Sequence, residues 1–337
     1  MKLTWEPLTL RLATAFNIAH GSYTERYNVL VRLEADGQVG LGEAPVVPYL
    51  GESREGVTAY LASVADGLGD DPWRLQDVLD RLPPGSAAAR SAISLALYDL
   101  HGQRLGQPLW RLWGLTPDRA PQTSVTIGID TPEAMAAQAR ALAAPILKVK
   151  LGGPDDLALV RAIRDVTDAV IRVDANAGWS RETAVQLLPP LAKLGVEFVE
   201  QPLAEDDVDG LRWLRERSPL PIFADEVVRS AADVGRLAGA VDGVVVKLAK
   251  FGGLRAAWQA IDTAHSLGMR VMLSCMVEST LGVTAAAHLA PLCEYADLDG
   301  PLLIANDPFV GLAYDDARLV LPVTPGLGVT RRGDAQG

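Results

Sequence analysis

Cysteine is scarce in this chain, and features typical of several protein classes are missing. The two thiols, Cys275 and Cys293, cannot form a disulfide framework and fit a reducing cytoplasm, where we expect the protein to reside. No uncharged apolar run approaches the roughly 20 residues of a membrane-spanning helix, and no basic segment precedes a long apolar run near residue 1, so we expect neither a membrane span nor a signal peptide. The net charge of -11 disfavours nucleic acid and anionic membranes as partners.

The first part of the chain shows mixed strand and helix patterns. Residues 29–32 and 39–41 read as strands, and Asp36-Gly37 between them is a hairpin signal. Helical periodicity follows at about 55–67, 73–82 and 86–106. We predict an α+β domain over residues 1–118.

From residue 119 the pattern changes to short apolar runs separated by gaps that are each long enough for one helix. Such runs are typical of a parallel sheet covered on both sides, and eight of them predict a closed α/β barrel over residues 119–314. An open doubly wound sheet is the alternative, but no Gly-rich phosphate motif follows the early strands. The tail, residues 315–337, is expected to return to the N-terminal domain. The eight runs are 123–129, 146–151, 170–176, 198–202, 222–226, 244–248, 271–276 and 295–299.

Charged residues stand at the ends of these apolar runs. From Lys148 to Lys247 they recur on successive strands at intervals of 22 to 26 residues, which is about one βα unit. The C-terminal ends of barrel strands are where catalytic residues lie. A single charge of this kind is usually a solvated loop residue, but a series in register is not expected by chance. The series comprises Lys148, Lys150, Asp174, Glu200, Asp225, Lys247 and Asp297.

Three of these residues are carboxylates on consecutive predicted strands. Neighbouring strands lie about 4.8 Å apart, so Asp174, Glu200 and Asp225 can converge. Converging carboxylates need a cation to stay ionised, and hard oxygen ligands favour Mg²⁺, with Mn²⁺ as a possible substitute. We predict one Mg²⁺ per chain at this point.

The lysines lie on opposite sides of the predicted barrel. Lys148 and Lys150 are two residues apart and point to the same side of their strand, whereas Lys247 is four strands away, which is half of the circumference. A substrate held between Lys150 and Lys247 would meet an amine on each face. The pattern predicts proton transfer next to a carboxylate, as in racemisation or epimerisation.

The motifs around these residues resemble the enolase superfamily and its muconate-lactonizing-enzyme subgroup. Sites of the enolase type in general combine a lysine base with Mg²⁺, so that chemistry is implied by the resemblance. The resemblance also implies a modified TIM barrel of the (β/α)7β type with an α+β N-terminal capping domain. It places the second base at Lys247 rather than Lys250. The motifs are Lys148-Val149-Lys150, Val173-Asp174-Ala175-Asn176, Val199-Glu200-Gln201-Pro202, Ala224-Asp225-Glu226 and Lys247-Leu248-Ala249-Lys250-Phe251-Gly252-Gly253.

A further segment, Asp297-Leu298-Asp299, resembles the Asp-x-Asp signature of dipeptide epimerases. Two carboxylates on one face could grip the ammonium of a free peptide N-terminus through charge-assisted hydrogen bonds. The alternative is that they form an acidic cap on the next helix or loop. The resemblance implies a dipeptide as substrate. We also expect the protein to form homo-oligomers.

By the same resemblance, loops of the capping domain contact the side chain of the substrate. We predict substrate contacts for His20, in the segment 16–26, and for Tyr49, Met276 and Lys148. Known Ala-Glu epimerases of this group place an arginine in the first loop, where Gly21 stands here and Arg26 comes later. This departure predicts an enzyme that is not specific for Ala-Glu. Glu25 and Glu52 either favour a cationic side chain or are simply solvated.

Other functions remain open at this point. Within enzymes, the alternative is an o-succinylbenzoate synthase or a muconate cycloisomerase-like reaction, whose acidic substrates lack an ammonium. A Schiff-base aldolase would use a barrel lysine without three carboxylates, and a non-catalytic metal-binding barrel would need no pair of bases. His101, His265 and His288 lie in helical stretches away from the strand ends, so we expect structural roles for them.

Overall fold

The N-terminal part of the protein is a three-stranded antiparallel sheet covered by helices. The structure, a computed structural model, describes residues 1–18 and 21–333. Asp36 and Gly37 have φ angles of 50° and 78°, the left-handed values that a tight turn between two strands requires. The elements are β1 (Lys2–Ile18), β2 (Gly21–Ala35), β3 (Gln38–Pro45), α1 (Arg54–Val64), α2 (Leu75–Arg81), α3 (Ala87–Leu105) and α4 (Leu109–Leu112).

The first predicted loop is in fact mostly strand. Residues Phe16 and Tyr23 pair across β1 and β2, as do Ile18 and Gly21, so the hairpin extends almost to its tip. His20, a predicted substrate contact, lies outside the described residues. Pairing between Gly21 and Arg26 therefore fixes the alternation of side chains on that part of β2, which we expected to be irregular.

Helix α3 packs directly on β3 because two glycines leave room for it. A Cβ atom on Gly40 or Gly42 would lie 2.0 Å from the carbonyl oxygen of Ala96 or Ala92 in the helix. This close approach buries α3, whose residues Ala92 and Ala96 are fully shielded from solvent.

The second part of the chain is a barrel of eight parallel strands. Each of the seven connections between the strands contains at least one helix, and up to residue 333 no α-helix follows the last strand. The predicted (β/α)7β type of barrel with an α+β capping domain is therefore confirmed. Strands β4 to β11 are neighbours in chain order, and the bridge between Thr123 and Ala296 joins the first strand to the last. The elements are β4 (Val125–Ile127), α5 (Pro132–Leu142), β5 (Ile146–Lys150), α6 (Asp156–Arg164), β6 (Val170–Asp174), α7 (Arg181–Lys193), β7 (Val196–Glu200), α8 (Val208–Arg215), β8 (Ile222–Ala224), α9 (Ala231–Arg236), β9 (Gly243–Lys247), α10 (Leu248–Phe251), α11 (Leu254–Ser266), β10 (Arg270–Ser274), α12 (Thr280–Ala287) and β11 (Tyr295–Asp297).

A buried apolar cluster lies in the barrel interior below four of the strand ends. Phe198, Phe223, Val245 and Met272 form one buried cluster, and the two phenylalanine rings stack at 4.3 Å. Each of the four lies two residues before a strand-end position, so it points into the barrel one layer lower. The polar groups at the ends of these strands therefore lie directly above a buried apolar cluster.

The C-terminal tail contacts the capping domain. It contains β12 (Phe309–Val310), β13 (Ala313–Asp315), β14 (Arg318–Val320) and β15 (Thr330–Arg331). The buried carboxylate of Asp99 in α3 accepts hydrogen bonds from the backbone N–H of Leu41, at 2.9 Å, and of Leu327, at 2.8 Å. One carboxylate thus joins β3 to the tail. Every helix within residues 1–18 and 21–333 is too short or too polar to cross a bilayer.

Candidate active site

Strand register brings the predicted site residues to one level of the barrel. Lys150 on β5 is paired in register with Asp174 on β6, which is paired with Glu200 on β7. On the other side, Ser274 on β10 is paired with both Lys247 on β9 and Asp297 on β11. Asp225 follows β8 directly.

Lys148 lies at the centre of the charged layer. Its Nζ is 2.7 Å from Glu200, 2.9 Å from Asp297 and 3.2 Å from Asp174, and its side chain is buried. Burial by itself would lower the pKa of Lys148, but the carboxylates of Asp297, Glu200 and Asp174 hold it well above its usual value. Lys148 is therefore a fixed cation.

Lys150 and Lys247 stand on strands four positions apart in the eight-stranded barrel. Lys150 donates to Asp174 and Lys247 donates to Asp225, each at 2.7 Å. Burial would lower the pKa of Lys247, but Asp225 holds it well above its usual value. The two amines have the predicted opposite placement, and each is paired with a carboxylate.

Lys250 donates hydrogen bonds to Asp225 and is not directed into the pocket. It follows β9 in α10, is buried, and donates to the side chain of Asp225 and, at 2.6 Å, to its backbone carbonyl. Burial lowers the pKa of Lys250. These contacts give Lys250 a structural role beside Asp225.

The three carboxylates Asp174, Glu200 and Asp225 are buried and face lysine ammonium groups. Among the described residues, no three acidic, histidine or cysteine side chains are arranged as a set of metal ligands in this conformation. The chemistry of the donors nevertheless fits a hard divalent cation. Lys148 lies near Glu200, but neither oxygen of Glu200 accepts a hydrogen bond of good geometry, and burial together with Asp174 raises the pKa of Glu200 well above its usual value. A cation is what such a carboxylate needs to remain ionised.

Asp297 and Asp299 lie on the side of the pocket next to β4. Asp297 accepts hydrogen bonds from Ser124 at 2.7 Å and Ser274 at 2.8 Å, and Asp299 accepts one from the N–H of Thr126 at 2.7 Å. The side chain of Asp299 does not cap the 3₁₀ helix that follows it, so the acidic-cap alternative has no support. Burial and the charge of Asp297 raise the pKa of Asp299 to about 6.

The capping domain supplies the other wall of the pocket. Tyr49 follows β3, and its hydroxyl lies 3.8 Å from the sulfur of Met276, which follows β10. Val47 and Ala249 pack in the same small apolar cluster. The residues that line the pocket from both domains include Arg26, Asn28, Val47, Tyr49, Thr126, Lys148, Lys150, Lys247, Cys275, Met276, Asp297, Asp299 and Leu303.

Glu52 has a structural contact that the sequence did not reveal. Its carboxylate accepts hydrogen bonds from the hydroxyl of Ser86, at 2.7 Å, and the N–H of Ala88, at 3.1 Å, at the start of α3. It is therefore neither simply solvated nor directed at a substrate. It anchors the segment that carries Tyr49.

Sequence reasoning also missed Glu43, a buried carboxylate that joins the two domains. It lies on β3 and accepts hydrogen bonds from Asn28 at 2.6 Å, from the N–H of Ser279 at 3.0 Å and from the N–H of Gly282 at 3.2 Å. Asn28 in turn donates to the carbonyl of Val277 at 3.0 Å. These contacts fix the segment after β10, and no local pattern could have indicated them.

A barrel with lysines and carboxylates at its strand ends, covered by an α+β domain, defines an enzyme of the enolase class. Residues 133–335 match the enolase C-terminal domain-like family, and residues 5–114 match the mandelate racemase/muconate lactonizing enzyme N-terminal domain. The chain belongs to the mandelate racemase/muconate lactonizing enzyme family of the enolase superfamily, which confirms the predicted resemblance.

Several relatives are similar over nearly the whole chain. The L-Ala-D/L-Glu epimerase of Bacteroides thetaiotaomicron is 42% identical, with 98% of this chain and 88% of the relative covered. The structure of the L-Ala-D/L-Glu epimerase of Bacillus subtilis with bound substrate superposes with a TM-score of 0.94 at 32% identity, covering 98% and 99% of the two chains. A dipeptide epimerase of Cytophaga hutchinsonii, in complex with Mg and D-Ala-L-Val, gives a TM-score of 0.93 at 33% identity and covers 99% and 97%.

Proposed function

We propose that the protein is a Mg²⁺-dependent dipeptide epimerase. It moves the α-proton of the C-terminal residue of a dipeptide, so that L,L and L,D forms interconvert through an enediolate. The observation that carries this proposal is the placement of Lys150 and Lys247 on opposite strands of one pocket that also presents Asp297 and Asp299. Epimerase activity on dipeptides among close relatives supports it.

Each lysine acts on one face of the α-carbon. One of them accepts the proton while the other, still an ammonium, returns a proton to the opposite face. A lysine has to be neutral to act as a base, so the pair between Lys247 and Asp225 has to open before Lys247 accepts a proton. Lys148 stays charged and contributes positive charge beside the reacting carboxylate.

The metal would be held by Asp174, Glu200 and Asp225. A bound divalent cation would bind the substrate carboxylate and stabilise the negative charge that develops when the α-proton leaves. We propose one Mg²⁺ per chain, with Mn²⁺ as a working substitute, because all three donors are hard carboxylate oxygens.

The ammonium of the dipeptide would be held by Asp297 and Asp299. Both carboxylates are buried, and both line the pocket beside Lys148. A substrate without an ammonium would leave this negative charge uncompensated, which disfavours the acidic substrates of o-succinylbenzoate synthase and muconate cycloisomerase. We further propose a cytoplasmic location, since Cys275 and Cys293 are both free thiols. We also propose that the protein forms homo-oligomers.

The test is incubation of the Mg²⁺-loaded protein with a dipeptide library in D₂O, followed by chiral separation and mass spectrometry. Epimerisation with two bases predicts an epimer carrying one deuterium at the α-carbon of its second residue, while the unreacted substrate initially stays unlabelled. Products that have lost water or have formed a ring, with no epimer among them, would instead favour an elimination or a cycloisomerisation reaction. If the chelated protein still incorporated deuterium at the α-carbon, the proposed requirement for a metal would be wrong.

A further inference from the structure

The two aspartates of the proposed ammonium site lie where the first and last strands of the barrel meet. Within the described residues, an isolated bridge between Thr123 and Ala296 joins the two strands, in place of a continuous ladder. Strand β11 ends at Asp297, so Leu298 and Asp299 lie beyond it. The backbone that carries the second aspartate therefore has to be held by other contacts.

Two side-chain hydroxyls hold the peptide groups that join Asp297 to Asp299. The N–H of Leu298 donates to Oγ1 of Thr123 at 2.7 Å, and the carbonyl of Leu298 accepts a hydrogen bond from the hydroxyl of Tyr314 at 2.6 Å. The N–H belongs to the peptide group after Asp297, and the carbonyl belongs to the peptide group before Asp299. Leu298 is fully buried, so its peptide groups depend on partners within the protein.

One of these hydroxyls comes from the C-terminal tail. Tyr314 is the middle residue of β13, which forms a hairpin with β14. The same hairpin contacts the barrel a second time, because the carbonyl of Ala317 accepts a hydrogen bond from the N–H of Thr123 at 2.8 Å. Burial, with Cys275 and Asp299 nearby, raises the pKa of Tyr314 well above its usual value, so its hydroxyl stays protonated and donates.

The two aspartates differ in how their own carboxylates are held. Three side chains donate to Asp297 at 2.7 to 2.9 Å, whereas the partner of Asp299 among the described residues is Thr126, whose N–H donates at 2.7 Å. The direction of Asp299 therefore depends more on the backbone that carries it. A rotation of the peptide group between Leu298 and Asp299 would turn this carboxylate away from Asp297.

We propose that Tyr314 and Thr123 are positioning residues of the ammonium site. By fixing the two peptide groups between Asp297 and Asp299, their hydroxyls set the distance and direction of the two carboxylates, so that both can accept hydrogen bonds from one ammonium. This inference rests on the proposed function and adds how its ammonium site is held. It makes the C-terminal tail a determinant of substrate recognition, although neither hydroxyl lines the pocket.

The experiment compares L-Ala-L-Ala with propionyl-L-Ala, which is the same molecule with a hydrogen atom in place of the ammonium. Affinity for both is measured by calorimetry in the presence of Mg²⁺, and kcat and KM for the dipeptide are measured by chiral separation. We expect the wild-type protein to bind the dipeptide roughly 10- to 100-fold more tightly, the ratio that corresponds to one charged hydrogen-bonded group.

The variant Tyr314→Phe removes the hydroxyl and keeps the ring. The preference for the dipeptide should fall by roughly 3- to 10-fold, the ratio that corresponds to one hydrogen bond, while affinity for propionyl-L-Ala and for Mg²⁺ stays unchanged. KM for the dipeptide should rise accordingly, with a smaller change in kcat. Thr123→Val should have the same effect, and Thr123→Ser, which keeps a hydroxyl, should retain the wild-type preference.

The matched control is Tyr295→Phe, because Tyr295 lies on the same strand as Asp297 but at its opposite end. Its hydroxyl accepts a hydrogen bond from Arg270 at 2.9 Å, and it does not line the pocket. Loss of this hydroxyl should leave the preference for L-Ala-L-Ala unchanged. Urea denaturation checks that each variant is folded. If Tyr314→Phe did not fold, the comparison of Thr123→Val with Thr123→Ser would decide.

The outcomes separate this inference from the proposed function. If Tyr314→Phe weakened both compounds equally, or if Tyr295→Phe lowered the preference as much, the inference would be wrong while epimerase activity stood. Loss of the preference in Thr123→Ser would also overturn it. If the preference depended on Tyr314 but no dipeptide were epimerised, the inference would hold and the proposed function would fail.

Discussion

At the scale of single residues, the proposed chemistry depends on the two facing lysines, Lys150 and Lys247. Each of the substitutions Lys150→Ala and Lys247→Ala should lower the rate of epimerisation by at least about 1,000-fold. Each of the two proton transfers needs its own acid or base. The measurement is the rate of epimer formation, together with deuterium uptake into the substrate. A Lys193→Ala control removes an exposed lysine of α7 and should be neutral. Undiminished conversion in both directions in either active-site variant would contradict the two-base model.

We expect Asp299 to make substrate affinity sensitive to pH. Burial and the charge of Asp297 raise its pKa to about 6, so it becomes protonated as the pH falls below that value. A neutral Asp299 attracts an ammonium less, and the α-amino group of the substrate stays charged in this range. KM for a dipeptide should therefore rise as the pH falls from 7 to 5, with a smaller change in kcat.

The variant Asp299→Asn tests the assignment of this pH effect. It should have a raised KM already at pH 7 and a flatter dependence between pH 7 and 5. If KM of the variant still rose between pH 7 and 5 as it does in the wild type, the pH effect would belong to another group.

At the scale of secondary structure, the contact between β3 and α3 depends on two missing side chains. Gly42→Ala places a Cβ atom 2.0 Å from the carbonyl oxygen of Ala92, so sheet and helix have to separate. We expect a loss of at least roughly 2 kcal/mol in the free energy of unfolding, measured by urea denaturation.

Gly235→Ala is the matched control for that substitution. Gly235 lies inside α9, and a Cβ there meets nothing within 4 Å. The control should be neutral or stabilise by about 0.5–1 kcal/mol, because Ala favours helix more than Gly does. Equal effects of the two substitutions would show that the close approach to α3 is unimportant.

His288 ties the end of α12 to α4 and to the tail. Its Nδ1 accepts a hydrogen bond from the N–H of Trp110 at 3.2 Å, and its Nε2 lies 3.1 Å from the carbonyl oxygen of Leu327. Burial lowers the pKa of His288 to about 4, whereas an unfolded histidine titrates near 6.5. Between these values the unfolded chain binds a proton that the folded protein does not, so the protein loses stability as the pH falls.

The expected size of this loss follows from the two pKa values. Between pH 7 and pH 5 the His288 contribution amounts to about 2 kcal/mol. Urea denaturation at both pH values should show a correspondingly smaller pH dependence in His288→Gln. His265→Gln, which changes an exposed histidine, should behave as the wild type does.

At the scale of the whole molecule, activity should depend on a divalent cation. Chelation should remove epimerase activity, and Mg²⁺ should restore it, with Mn²⁺ as a weaker or equal substitute. Calorimetry should give one binding site per chain in the wild type, and Glu200→Gln should weaken that site strongly. Full activity in the chelated protein would contradict this prediction.

Much of this architecture could be predicted because barrel strands repeat. The spacing of Asp174, Glu200, Asp225 and Lys247 follows the length of a βα unit, and strand register then places them at one level. The helices α1 to α3 were predictable from their helical periodicity, which is a local signal.

The remaining features depend on contacts between distant segments. The partners of Lys148 come from three different strands, and Glu43 meets Ser279 across the junction of the two domains. The contact between Arg26 and the ring of Tyr23 depends on the strand structure of β2, which the prediction of a loop over residues 16–26 did not include. Such pairings leave no periodic trace in the sequence.

The two hydrogen bonds of the Asp99 carboxylate become possible at different times during synthesis of the chain. One of its hydrogen-bond donors, Leu41, is made before it, but the other, Leu327, is made 228 residues later. At typical rates of translation this interval is roughly 10–50 s. Throughout that time the capping domain lacks a contact in its interior, so α3 has its full set of contacts only after Leu327 has left the ribosome. The capping domain, made before the barrel, is thus completed after it.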